Sequence, residues 1–444
     1  MNHASRDLLL EESPFRLYMR YLGPSLCGCF FTSFYVLTDT MMIGRGIGPV
    51  GLTALNIMLP VYSFFMCFGF MTGIGGAVCI AVARGEKNDE EADRIYTTSM
   101  VFLLLLALLM TILCNLFLGQ FVDLLGADSS NRRYAMEYGR IMMLSAVSYF
   151  LTPVLQNYVK NDNDPNLVMV AAIVGNLLNV VLDYVFIFIF KWGMTGAILA
   201  TVLGFTVNWM ICATHLLKKE NRLKFRPELI DPRCLIRVFS NGAASFLTEF
   251  AVGLIVFVFN RQVLSWLGSA GLVIFSVINN YIIIVTAMIN SAGYAAQPLL
   301  SYNFGAGMTA RVRELRRIGL AAALLIAVLL YLLALIRPVL ILSLFLEDSS
   351  AYRSAGSYAI RVYFSGAVFE AVSLYCGSYF QSVMQPARAF ILGILRGFLL
   401  PVLLILMLPL LFGGTSLWYA VPAAEFITAL AAILMLNRSA SVSS

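Results

Sequence analysis

Apolar residues in this chain come in long unbroken runs, separated by short polar stretches rich in Gly, Pro, Arg and Asp. A helix needs about 20 apolar residues to cross the hydrocarbon core of a bilayer. Twelve stretches are long enough: residues 21–43, 52–82, 97–118, 138–159, 166–190 and 193–217, then 235–264, 271–302, 318–345, 358–384, 387–411 and 416–436. A transmembrane barrel would show short alternating segments instead. The pattern predicts an all-α polytopic membrane protein of twelve transmembrane helices, numbered below as spans one to twelve.

The chain also resembles itself at one offset. At 220 residues, Gly51-Leu52 matches Gly271-Leu272, Gly73 matches Gly293, Gly85 matches Gly305 and Tyr138 matches Tyr358. At 221, Arg140 matches Arg361, Tyr158 matches Tyr379, Pro165 matches Pro386 and Gly193 matches Gly414. Each repeat holds six spans, an even number, so both enter the membrane in the same orientation. Their relating pseudo-twofold axis then runs along the membrane normal, as in transporters built from parallel repeats. The expected organisation is a six-helix lobe over 1–217, a linker over 218–233 and a second six-helix lobe over 234–444. Two bundles joined this way leave a central cleft, where one half can rock against the other.

Composition agrees with lipid as the solvent. The 444 residues are 60% hydrophobic and 12% charged, whereas an ordinary soluble domain is about half apolar and a quarter charged. The eight cysteines lie within or beside apolar runs, without a CxxC motif, and His3 and His215 are far apart. Neither a disulfide framework nor a zinc site is expected. With the N-terminus inside, 21 of the 30 Lys and Arg residues fall in inner loops, Lys160 and Arg396 among them and seven on or beside the linker (Lys218 to Arg237). That bias predicts a cell-membrane protein with both termini in the cytoplasm. Residues 1–20 read as a cytoplasmic arm and not as a cleaved signal peptide. The +6 net charge then reflects topology and anionic lipid, with no nucleic-acid partner implied.

Five acidic residues interrupt the apolar spans: Asp39, Asp183, Glu249, Glu370 and Glu425. A charged residue at mid-membrane costs about 2.5–3.5 kcal/mol on insertion scales, so each needs a polar partner or access to water. Span five reads NLLNVVLDYVFIF, which puts Asn176, Asn179 and Asp183 at spacings of three and four, on one helix face. Asp39 on span one, Asn157 near the end of span four and Thr201 on span six are candidates to complete that site. Two carboxylates in one pocket resist double ionisation, as a proton carrier requires; the same oxygens suit Na⁺. In the second half, Glu249 on span seven and Glu370 on span ten are candidates for a separate cation site. They are not repeat equivalents of Asp39 and Asp183, whose positions are taken by Phe259 and Leu404. Glu425 lies near the start of span twelve, and Pro24 permits a kink in span one.

With the spans and the duplication, four stretches carry a family resemblance: TDTMMIGRGIGPVGLTALNIMLP, GIGGAVCIAVARGEKNDEEADR, NLLNVVLDYVFIFIFKWGMTGAILAT and SYNFGAGMTARVREL. Over 24–436 the chain resembles the multidrug and toxic compound extrusion (MATE) family. The resemblance implies two six-helix lobes and export of small organic molecules, cationic or amphiphilic, driven by H⁺ or Na⁺. It implies first-lobe roles for Asp39, Asn157, Asn179, Asp183 and Thr201. Glu249 and Glu370 answer to the acids that bind a cation in some members, with Glu on span ten where Asp is frequent. Related lipid and lipid-linked sugar flippases are the alternative; they usually carry more spans or a strongly cationic cavity. An intramembrane enzyme would need a nucleophile–base pair or metal motif that the sequence lacks. No Walker motif occurs, so ATP is not expected as the energy source. The expectation is a cofactor-free monomer.

Cysteine-accessibility labelling in intact cells tests the orientation. Single cysteines in 218–237 should resist a membrane-impermeant reagent, whereas one at Arg132 should react. Reversed labelling would overturn the charge argument.

Overall fold

The computed structural model describes residues 9–125, 127, 131–346 and 352–440; residues 1–8 of the N-terminal arm, His3 and Arg6 among them, lie outside the described residues. Among the described residues there are helices and no strands. Ten of the helices among the described residues are long and apolar enough to cross a membrane. One of them, Cys234–Gly305, is 72 residues long and broken at Gly268, whose backbone (φ 67°, ψ −164°) leaves the helical region. That break separates spans seven and eight. Span four, formed by Arg132–Leu144 and Ala146–Asn161, is not among the ten. The arrangement is consistent with twelve crossings.

The sequence accounts for the helix ends. Helices begin at Pro49, Pro165, Pro338 and Pro386, where a missing N–H and a preset φ cost nothing. Asn88 and Asp164 cap the helices that follow them by accepting backbone N–H bonds from Glu91 (3.1 Å) and Leu167 (3.3 Å). Proline also explains one misplaced boundary. Span nine was expected to run to 345, but its helix ends at Ile336 and a separate helix covers Pro338–Phe345. Arg337 (φ −124°, ψ 47°) leaves the helical region, because a residue before proline is pushed out of it.

The duplication is written in the backbone. Left-handed residues recur at the repeat offset: Gly48 with Gly268, Lys87 with Gly307, Asn163 with Met384 and Gly193 with Gly413. An unusual conformation is harder to match by chance than a residue type. By contacts the described residues form two compact units, one within 1–11, 23–242 and 301–307, the other within 12–22, 243–300 and 308–444.

Within the first unit, span three shows what the outside faces. Leu105, Leu108, Ile112 and Leu116, at spacings of three and four, are each half exposed or more. Water would not tolerate so continuous a stripe; lipid does.

An ionic network ties the ends of spans two, four, five and six. Arg84, at 3% exposure, donates from Nη1 to Asp162 Oδ1. His215 places Nε2 2.8 Å from Asp162 Oδ2 and Nδ1 3.0 Å from Asp164 Oδ2. The Arg222 backbone N–H donates to Asp162 at 2.8 Å, and Lys218 Nζ donates to Asp164 at 2.5 Å. Burial pushes the Asp162 carboxyl up, but Arg84, His215 and the Arg222 N–H together hold it below the usual carboxylate range. A depressed folded-state value stabilises the fold above the unfolded value near 3.8 and is lost as pH falls below it. Thermal stability should therefore fall on acidification below about pH 4. Asp162→Asn should lose that contribution even at neutral pH, by about 3–5 kcal/mol for a broken buried pair. Equal melting curves for the two proteins would contradict this role.

Candidate functional site

Spans one and five run side by side in register. Gly28 lies against Ala172, and Asn176 Nδ2 donates to Thr32 Oγ1 at 3.0 Å. Two turns further along both helices, the Asp39 carboxyl faces that of Asp183, close enough to share a hydrogen bond when one is protonated. Each pair is 144 residues apart, so the helices point the same way. The first and fifth crossings of an alternating chain must do so.

Asp183 is fully buried, and neither carboxyl oxygen has a hydrogen-bond partner; Asp39 Oδ1 also has none. Tyr35, Tyr138 and Tyr149 are within electrostatic reach of Asp39, and the buried Tyr149 hydroxyl has no partner. Asp183 is the last α-helical residue of span five, and a π-helical turn, Tyr184–Ile189, follows it. Such turns widen a helix locally and recur at functional positions.

Asn179, one turn before Asp183, donates from Nδ2 to Thr201 Oγ1 at 3.3 Å, while its Oδ1 is buried without a partner. Two glycines allow this reach. A Cβ on Gly204 would lie 2.8 Å from Gly175 O and 3.0 Å from the Asn179 Cβ, and one on Gly175 would lie 2.7 Å from Gly204 O. Small residues at such crossings let membrane helices touch backbone to backbone.

Asn157 stands apart from this group. It accepts from Lys160 Nζ at 3.1 Å and donates to Pro153 O at 2.7 Å. Lys160, assigned from sequence to an inner loop, is 8% exposed on the last turn of span four and interacts with Cys29. At 1.5 Å per residue, Cys29 is about 15 Å along span one from Asp39. The structure thus assembles Asp39, Asp183, Asn179 and Thr201, and commits Asn157 to a lysine elsewhere.

The second half pairs its acids differently from the expectation. Glu370 Oε1 accepts from Thr286 Oγ1 at 2.7 Å and from Arg396 Nη2 at 2.6 Å. Arg396 Nε also lies 2.8 Å from Glu425 Oε1 without aiming its N–H at that oxygen, and Ser373 Oγ donates to Glu425 Oε2 at 2.6 Å. Glu249 is half-buried and takes no part in these bonds. Counting Arg396 among the inner-loop cations was an error: it sits in a π-helical turn, Leu395–Leu399, inside the crossing Pro386–Phe412. Its place in the apolar run FILGILRGFLLPVLL was the available signal.

The sequence profile of the MatE family matches residues 24–185 and 243–407, one stretch in each repeat. The chain belongs to the MatE family. It is accordingly a multi-pass membrane transporter. It is 23% identical over 428 residues to the multidrug export protein MepA of Staphylococcus saprophyticus, covering 96% of this chain and 94% of that protein. The MepA of Staphylococcus haemolyticus is 22% identical over the same shares. Among solved structures, a MATE bound to MaL6 superposes with a TM-score of 0.92 at 21% identity, over 98% of both chains. A Pyrococcus furiosus transporter of the MOP superfamily, described as having a binding pocket of reversed polarity, superposes at 0.90 and 21% identity, over 98% of this chain and 97% of that one. These likenesses establish the fold.

The glycine crossing makes a packing prediction for this MatE protein. Gly204→Val should push spans five and six apart and cost about 1–3 kcal/mol of stability, the range for overpacked cores. Gly204→Ala should cost less. A melting temperature unchanged in Gly204→Val would show that the crossing tolerates separation.

Proposed function

We propose that this chain exports small organic compounds, cationic or amphiphilic, in exchange for H⁺ or Na⁺, by alternating access of its two halves, with both termini in the cytoplasm. The observation that carries the coupling is the Asp39–Asp183 pair: two membrane-embedded carboxyls face to face, with Asp183 offered no donor. Two such groups cannot both hold charge cheaply in a low dielectric. A site of that kind binds one cation readily and a second poorly. A proton is the smallest such cation, and the surrounding oxygens of Asn179 and Thr201 also suit Na⁺.

The export direction and the drug-like cargo draw on the names of the MepA relatives. The energetics are adequate, since each cation moving inward draws about 2.3 kcal/mol per 100 mV from the membrane potential. The tyrosines near Asp39 present apolar rings beside an acid, which suits flat organic cations.

Asp39→Asn keeps size and hydrogen-bonding capacity but fixes position 39 neutral. Measured in proteoliposomes with imposed pH or sodium gradients, the variant should reach normal levels in the membrane and lose gradient-driven export. Asp183→Asn should behave alike. Asn179→Ala should weaken transport less, since it removes a partner and not a titrating group. Full export by Asp39→Asn would refute the carrier role, and loss of the folded protein would assign the pair to packing.

A further inference from the structure

The second half holds an ionic cluster that the proposed exchange does not use. Glu370, Arg396 and Glu425 come from three successive crossings, spans ten, eleven and twelve. Glu370 and Glu425 are each 5% exposed, and the Arg396 side chain is 16% exposed. Arg396 Nη2 meets Glu370 at 2.6 Å and its Nε lies 2.8 Å from Glu425. Thr286 and Ser373 each donate a hydroxyl to one of these carboxylates.

We propose that Arg396 is a tethered counter-cation that fills this acid cluster, so that the second half binds no exchangeable inorganic cation and the choice of coupling ion falls to Asp39 and Asp183. The proposal rests on the antiport reading above for the word coupling, but its chemistry is independent of cargo. Two carboxylates and two hydroxyls turned to one buried space are the oxygen-rich set a hard cation takes. Here a guanidinium occupies that space. It carries one full charge at any physiological pH and spreads its donors in a planar fork, so it bridges two carboxylates as a point cation cannot. It cannot diffuse away, and swinging it out would strand a charge in the membrane. A free sodium ion must therefore displace a partner held at high local concentration by the chain itself.

The π-helical turn supports the same reading. Arg396 sits on Leu395–Leu399, where the helix widens, and a position built this way serves a specific side-chain placement. Glu249, without a bond to this cluster, adds no ligand to it.

The test measures sodium binding to the purified full-length protein and needs no transport. Radiolabelled sodium retention and melting temperature are compared in sodium chloride and in choline chloride at equal ionic strength. The chain carrying Asp39→Asn and Asp183→Asn, which removes both first-half carboxylates, should show no sodium-specific effect in either readout. Arg396→Ser in that background should retain about tenfold more sodium, through the freed carboxylates, and should melt higher in sodium than in choline. Adding Glu370→Gln should remove the gain, and Arg396→Lys should remain insensitive to sodium. Sodium retained by the Asp39→Asn/Asp183→Asn protein and abolished by Glu370→Gln would overturn the proposal, as would a folded Arg396→Ser protein that gains nothing. If Arg396→Ser does not fold, the measurement on the Asp39→Asn/Asp183→Asn protein decides: sodium binding there that Glu370→Gln abolishes refutes the tethered cation, and absence of sodium binding upholds it. Failure of export in the Asp39→Asn variant bears on the exchange and leaves this binding result standing.

Discussion

A charge in hydrocarbon needs a partner, and that requirement shapes both halves of this protein. Water cannot reach groups in the membrane core to share the cost, so each buried acid must be matched by a donor, a cation or a proton. The second half supplies its own cation in Arg396, bridging Glu370 and Glu425. The first half sets Asp39 against Asp183 and gives Asp183 no donor. One arrangement is closed by covalent design. The other leaves its carboxyls without a built-in cation, the feature on which the proposed exchange rests.

Packing decides where these groups stand. The Gly175–Gly204 crossing lets Asn179 reach Thr201, and the shared register of spans one and five puts Asp39 opposite Asp183. In lipid there is no hydrophobic drive for helix pairing, so close approach and polar contacts carry it. The same residues thus hold the helices together and build the site. Rigid placement follows at the ends, where Arg84, Asp162 and His215 clamp the loop after span six.

Much of this was legible in the sequence, and the losses have physical causes. The spans and the repeat could be read because lipid demands long apolar runs and duplication conserves an offset. The Asn176–Asn179–Asp183 stripe was readable because helical spacing fixes a face. Asn157 was misplaced since its partner, Lys160, is three residues along its own helix, and local pairing leaves no mark distinct from a site. Arg396 was assigned to a loop because positive charge is expected outside the membrane; only the neighbouring helices reveal its two carboxylates. The tyrosines near Asp39 come from spans one and four, and only folding brings them to one carboxyl.

The duplicated scaffold shows how two equal folds acquire unequal roles. The left-handed backbone positions recur at 220 or 221 residues, so the turns and helix breaks were kept. The chemistry was not. The repeat position of Asp39 is Phe259, fully buried and stacked on Phe275 with ring centroids 4.3 Å apart. Trp418 and Tyr363 approach the same ring. Where the first half keeps a titratable group, the second has an aromatic core that needs no partner and titrates nothing. Its acids stand elsewhere and are tied to an arginine. A symmetric pair of sites would load and release cations in both halves at once. This chain confines its donor-poor carboxyl pair to one half, which leaves the other free to pack tightly.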